Sequence, residues 1–372
     1  MTSMSGAPRS SPRTLIGNRL AAGIVCAWLA ACATVEAPVP TPTPSQEVTP
    51  PPRPQPSPVS ATGAWPHAAG QVLARNERLL LYRPAVDDRL GAIAARFLGR
   101  SDDAWQISEA NGGAPLEAGV PMVVPLKPLN PGGVVGDRVQ TVPILCYHRF
   151  GAGNSKMIIS PARFAAQLEW LARNGYQVIR LSALEGFLAG QRPLPPKSVV
   201  ITIDDGYESV HRHAFPLLKQ YGFPATVFAY SDFIGAGDAL RWPQMQEMVS
   251  SGLIDIQSHS KSHRNLVERL PGETEDRYRA NLDAEMQIPR ESIQRRLAGV
   301  QMRHIAYPFG DANAPVTEAA QRHGFTLGLT VVPGGNAFYA QPMLLRRTMI
   351  FGDMDLDAFK SRLQTSRPFV GS

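Results

Sequence analysis

"SVVITIDDGY", residues 198–207, opens on six uncharged residues, four of them Val or Ile. β-Branched side chains at consecutive positions suit a strand buried on both faces, as strands of a parallel sheet are. The run stops at two adjacent carboxylates, Asp204 and Asp205, followed by Gly206. Folds built on parallel strands place their chemistry at the C-terminal ends of those strands. An apolar strand that ends in two acids therefore reads as one wall of a site.

Working outward, seven further runs read as strands: "VPILCY" (142–147), "QVIRL" (177–181), "ATVFAY" (225–230), "LIDIQS" (253–258), "RHIAYP" (303–308), "TLGLTV" (326–331) and "LRRTMIF" (345–351). Between them stand helical runs such as "PARFAAQLEWLARNGY" (161–176) and "EDRYRANLDAEMQIPRESIQRRLAG" (275–299). Strands alternating with helices predict the α/β class, and most simply an irregular (β/α) barrel of about seven strands. On this reading three polar clusters fall on one face. They are Asp204 and Asp205, then His259 and His263 in "DIQSHSKSH", then the turn Tyr307-Pro308-Phe309-Gly310. His148, after the strand 142–147, faces the same rim.

Two histidines four apart are expected on one face of a helical turn, where both imidazoles reach one ion. One carboxylate completes a three-ligand set and leaves a position for water, as a catalytic divalent metal requires. The other carboxylate can take the proton of that water. From the residues alone, either aspartate can fill either role.

The motifs "TIDDG", "HSKSH" and "YPFG" resemble the first three motifs of the polysaccharide deacetylases, a carbohydrate esterase family, over residues 139–363. The resemblance implies hydrolysis of an N-acetyl group on an amino sugar, with acetate as product. It makes Asp204 the base, and it makes Asp205, His259 and His263 the ligands of one divalent ion, zinc being the expected one. The backbone N–H of Phe309 is implied as the oxyanion donor. Tyr307, Pro308, Gly310 and Arg347 are expected to line the substrate groove. The family's third motif carries an Arg where this chain has Ala306, and its late His motif is missing. Arg303, Arg346 and Arg347 are candidates for the first gap, and His148 is the candidate proton donor for the second. Within the family the chain resembles the poly-N-acetylglucosamine deacetylase branch. Peptidoglycan is the competing substrate, and a non-catalytic glycan-binding lipoprotein is the competing function class.

The N-terminal third reads differently. Arg13 and Arg19 precede the apolar run "LAAGIVCAWLAAC" (20–32), about the length of a signal-peptide core and too short to span a bilayer. Leu29-Ala30-Ala31-Cys32 resembles a bacterial lipobox, so residues 1–31 are expected to be a lipoprotein signal and Cys32 the lipidated residue. The expected place is the bacterial cell envelope, with a membrane as partner. Residues 32–70 form a Pro-rich tether. Residues 71–130 resemble a LysM glycan-binding module of βααβ order, through Asp88-Arg89-Leu90, Ile93-Ala94, Phe97, Ala110-Asn111-Gly112 and the segment 119–125. The catalytic domain is expected over 138–372. The formal charge is +6, but no Lys/Arg cluster interleaves with aromatics, so nucleic acid is not an expected partner. Of three cysteines, only Cys146 falls in a folded domain, where it reads as a small buried hydrophobe.

Overall fold

The computed structural model describes residues 68–153 and 155–369. The signal-like segment, Cys32 and nearly all of the tether lie outside them. No helix among the described residues is long and apolar enough to cross a membrane.

The N-terminal module is an antiparallel sheet of β1 (Gln71–Arg75), β2 (Leu79–Arg83) and β3 (Met122–Pro125), with α1 (Leu90–Leu98) and α2 (Ala104–Ala110) between β2 and β3. The expected βααβ order therefore gains one strand at its start. The extra hairpin is closed by Asn76, whose side-chain oxygen accepts from the N–H groups of Arg78 and Leu79, both at 2.8 Å. Asn tolerates such turns because its side chain satisfies the backbone locally. Leu80, Tyr82, Ile93, Ala94, Ile107 and Val124 form the module's core.

Seven parallel strands build the larger body: β4 (Val142–Tyr147), β5 (Ser198–Ile203), β6 (Ala225–Ala229), β7 (Ile254–Ser258), β8 (His304–Ala306), β9 (Leu327–Leu329) and β10 (Thr348–Met349). Their spatial order is β9-β8-β7-β6-β5-β4-β10. Every position of β4 and β5 is buried, as a strand covered on both faces requires. The two ends of the curled sheet meet at one parallel bridge between Leu329 and Leu345. There Leu345 N–H bonds the Gly328 carbonyl and Thr330 N–H bonds that of Leu345, each at 2.8 Å. This is the irregular barrel the sequence predicts. The run "QVIRL" takes no part in the barrel wall beyond a two-residue strand, Gln177–Val178, beside the start of β5. Its pairing ends when Ile179 N–H bonds Val199 O, because the chain then turns into α4 (Ala183–Leu188).

Helices α3 (Pro161–Arg173), α5 (Phe215–Tyr221), α6 (Trp242–Ser250), α7 (Glu275–Arg296), α8 (Ala314–Arg322) and α9 (Leu356–Ser361) complete the alternation. Their starts are written locally. Ser160, Thr274, Asn313 and Asp355 each accept a bond from a backbone N–H of the first turn, which satisfies a donor the helix itself cannot. The largest cluster of apolar side chains joins α3, α5 and α6 to β4–β7.

Candidate active site

The three polar clusters do share one face. β5 continues its ladder through Asp204, whose N–H bonds the Tyr147 carbonyl at 2.9 Å. Side chains at successive strand positions point to opposite faces, so two neighbouring acids should diverge. Here the strand breaks at once. Asp205 and Gly206 take φ values of +72° and +78°, and this left-handed turn brings the Asp205 carboxylate to the histidines. Its Oδ1 lies 3.2 Å from His263 Nε2 and 3.5 Å from His259 Nε2. Gly206 has a second reason to lack a side chain, since an added Cβ would stand 3.0 Å from that of Ala229.

The segment after β7 is not the helical turn expected from the i, i+4 spacing. Ser260 and His263 both have positive φ, at 68° and 61°, which no helix allows. The buried carboxylate of Glu285, from α7, shapes the loop instead. It accepts from the N–H groups of Lys261 (2.9 Å) and Ser262 (3.0 Å) and from the Ser262 hydroxyl (2.6 Å). His259 is oriented by its Nδ1, which donates to the Ala306 carbonyl at 2.7 Å and leaves Nε2 to face the acids. The ligand atoms of Asp205, His259 and His263 all lie within 4.8 Å of one another. Two imidazoles aimed at one carboxylate oxygen, one of them with its second nitrogen already committed, form a donor set that fits a divalent cation.

Asp204 lies beside that set, its Oδ2 3.9 Å from His259 Nε2, but its closest partner is a cation. The acid is 2% exposed, and Arg347 Nη1 donates to its Oδ1 at 2.7 Å. Arg347 Nε donates to the Thr330 carbonyl at 2.8 Å, so the guanidinium is anchored on the barrel seam. Burial by itself would raise the Asp204 carboxyl, but Arg347, with His259 and His148, outweighs it and holds the group below the usual carboxylate range. In Asp205, too, the ring nitrogens of His259 and His263 overcome burial and lower the carboxyl.

Several groove expectations are corrected here. Arg347 is 0% exposed, so it braces Asp204 and does not line a groove. Tyr307 and Pro308 are buried, and the Tyr307 hydroxyl donates to the Met343 carbonyl at 3.0 Å. Gly310 is also buried, and an added Cβ there would collide with Val331. These three hold the turn in place. The residue they project is Phe309, which is 60% exposed, with φ of 61° and its ring centroid 5.1 Å from that of His263. Among the described residues its N–H has no protein acceptor. Arg303 pairs with Glu185 at the opposite end of β8, and Arg346 bonds the Pro333 carbonyl, so neither reaches Asp204.

His148 is half-buried, and burial lowers its pKa. One of its ring nitrogens falls within 4.8 Å of Cys146 Sγ and an Asp204 oxygen. Sequence reasoning missed two neighbours. Cys146 Sγ lies 3.4 Å from Asp204 Oδ2, and the Tyr230 ring stands 5.0 Å from that of His263. A signal existed for Arg347, a charged residue directly before the uncharged run "TMIF" (348–351). None existed for Cys146.

The polysaccharide deacetylase family model matches residues 191–328, which carry both acids, both histidines and the Phe309 turn. YxkH of Bacillus subtilis (strain 168), a protein named after the polysaccharide deacetylases, is 30% identical over 226 residues, 61% of this chain and 77% of its own. The chain belongs to the polysaccharide deacetylase family. The poly-β-1,6-N-acetyl-D-glucosamine N-deacetylase of Escherichia coli (strain K12) is 25% identical over 245 residues; these cover 56% of this chain and only 36% of that enzyme. The solved structure of IcaB from Ammonifex degensii is 28% identical with a TM-score of 0.53, covering 60% of this chain and 96% of that one. As a member of this family, the chain carries its recognisable acids and histidines on the barrel face where the geometry gathers them.

Proposed function

We propose that the chain is a metal-dependent hydrolase that removes N-acetyl groups from a polymer of N-acetylglucosamine and releases acetate. The observation that carries this reading is the pair of adjacent acids with different closest partners. Asp205 lies 3.2 and 3.5 Å from two imidazoles, whereas Asp204, 3.9 Å from His259, is gripped by a guanidinium at 2.7 Å.

Asp205, His259 and His263 would hold the divalent ion, with zinc the first candidate for such N/O donors. When bound, the ion acidifies water and polarises the amide carbonyl. The protein's own groups do the rest. Asp204, kept ionised by Arg347, accepts the proton of the attacking water. The Phe309 N–H donates to the amide oxygen as negative charge develops on it. His148, beside Asp204, delivers a proton to the departing amine, so that water and amide become acetate and a free amino sugar.

The substrate class draws support from the relatives named as poly-β-1,6-N-acetyl-D-glucosamine N-deacetylases. A LysM-like module favours peptidoglycan as the second reading. The lipobox-like Leu29–Cys32 supports an envelope location, with the chain anchored to a membrane through a lipid on Cys32 and the Pro-rich segment as tether. The test is acetate release from both polymers side by side, with Asp204→Asn as control. Metal-loaded protein that frees no acetate from either polymer would leave a glycan-binding role in place of the enzyme.

A further inference from the structure

Cys146, His148 and Asp204 form a second cluster with metal-ligand spacing, next to the first. Its chemistry points away from a cation. The Arg347 guanidinium already sits 2.7 Å from the shared carboxylate, and a second positive charge there would face both Arg347 and any ion held by Asp205. Cys146 is 0% exposed, and burial pushes its thiol well above the ordinary value, so it keeps its proton and acts as a donor. That proton has a partner, because Cys146 Sγ donates to Asp204 Oδ2 at 3.4 Å while Arg347 Nη1 donates to Oδ1. Both braces come from the same side of β5: Cys146 lies on the adjacent strand β4, and Arg347 directly precedes β10, the next strand beyond. Cys146 stands on β4, opposite Met349 of β10 on one side and Thr202 of β5 on the other.

We propose that Cys146 is a positioning residue for the base: its S–H fixes Oδ2 of Asp204, as Arg347 fixes Oδ1, so that the carboxylate cannot rotate between proton transfers. The proposal rests on Asp204 being the base. A carboxylate gripped at one oxygen pivots about that bond, whereas one gripped at both presents the same lone pair at every turnover. The thiol suits this place because it is an apolar filler with one weak donor, which restrains the carboxylate without taking a full share of its charge.

The test uses the metal-loaded full chain with Cys146→Ser, Cys146→Ala and Asp204→Asn, and reads kcat, KM and metal content separately. Cys146→Ala should lower kcat about tenfold, the usual scale for loss of one hydrogen bond to a charged group, with KM and one metal per chain unchanged. Cys146→Ser, which restores a donor while shrinking the side chain, should recover kcat to within about threefold of wild type. A packing role predicts the reverse order, since a hydroxyl fills the site no better than a methyl and is costlier to bury. Unchanged kcat in Cys146→Ala, or serine no better than alanine, overturns the proposal. Activity surviving in Asp204→Asn would instead sink the assignment of the base. An infrared difference spectrum, wild type minus Cys146→Ser, gives a readout free of turnover. The S–H stretch should lie below that of a free thiol and return to the free position in Asp204→Asn. A free-thiol frequency in wild type also overturns the proposal.

Discussion

Replacing Arg347 with Met keeps the length of the side chain and removes its charge, which leaves the Asp204 carboxylate buried without its closest cation. Both members of the pair are essentially out of solvent, at 0% and 3% side-chain exposure and 2.7 Å apart. Breaking such a pair from one side typically costs about 3–5 kcal/mol, a large part of the roughly 5–15 kcal/mol that holds a domain folded. The pH dependence identifies the cause. In the wild type the folded Asp204 pKa lies below its ordinary value. Its contribution is therefore full above about pH 4, and it is lost as pH falls through the depressed value. In Arg347→Met, burial governs instead and raises the folded pKa. The variant then loses stability as pH rises through that value. The deficit should be largest near pH 7 and shrink towards pH 4. Urea unfolding of chelator-treated protein, followed by near-ultraviolet circular dichroism at several pH values, measures it. Adding Asp204→Asn to the variant should recover most of the loss, since the orphaned charge is gone. A deficit of equal size at pH 4 and pH 7, or no recovery in the double variant, would refute the argument from charge and leave one from packing.

Three further outcomes follow from described contacts. Glu285→Ala removes the acceptor that pins Lys261 and Ser262, and should weaken metal affinity at least about tenfold, by competition against a chelator, although no ligand is changed. Phe309→Gly should raise the melting temperature slightly, because it relieves about 1 kcal/mol of left-handed strain at φ 61°, whereas Gly310→Ala should lower it by several degrees through its collision with Val331. Asp88→Ala should melt the N-terminal module and spare the barrel, since Asp88 accepts from the N–H groups of Ala69, Gly70 and Ala85 and from the Tyr82 hydroxyl; hydrogen exchange would locate the loss.

The parts of this site that are legible in the sequence are those whose signal is local. Ser198–Ile203 announces a buried strand by its own composition, and the acids that follow mark which end of it matters. The histidine loop shows the limit of spacing. His259 and His263 do converge, but through positive φ at Ser260 and His263 and a carboxylate on α7, more than twenty residues downstream in a helix. An i, i+4 pattern carries no information about such a loop. Arg347 and Cys146 were harder still, because their meaning lies in Asp204, which is 143 and 58 residues away respectively. A guanidinium beside a strand, or a thiol within one, looks the same in sequence whether it braces a carboxylate or fills space. Tyr307 and Pro308 misled in the other direction. Their motif marks the turn, and the turn exists to display Phe309.

The barrel seam at Leu329–Leu345 has a consequence for timing. Synthesis runs from the N-terminus, so both acids and both histidines emerge long before Arg347 and Thr348–Met349. Until that last strand of the barrel docks beside β4, the sheet is open where Thr330 and Leu345 should meet, and Asp204 has no guanidinium. A chain stopped short of residue 345 would hold every ligand candidate and yet lack a settled base. Competence thus arrives in a single late step, when the seam closes, and it arrives together with the stability that keeps the seam shut.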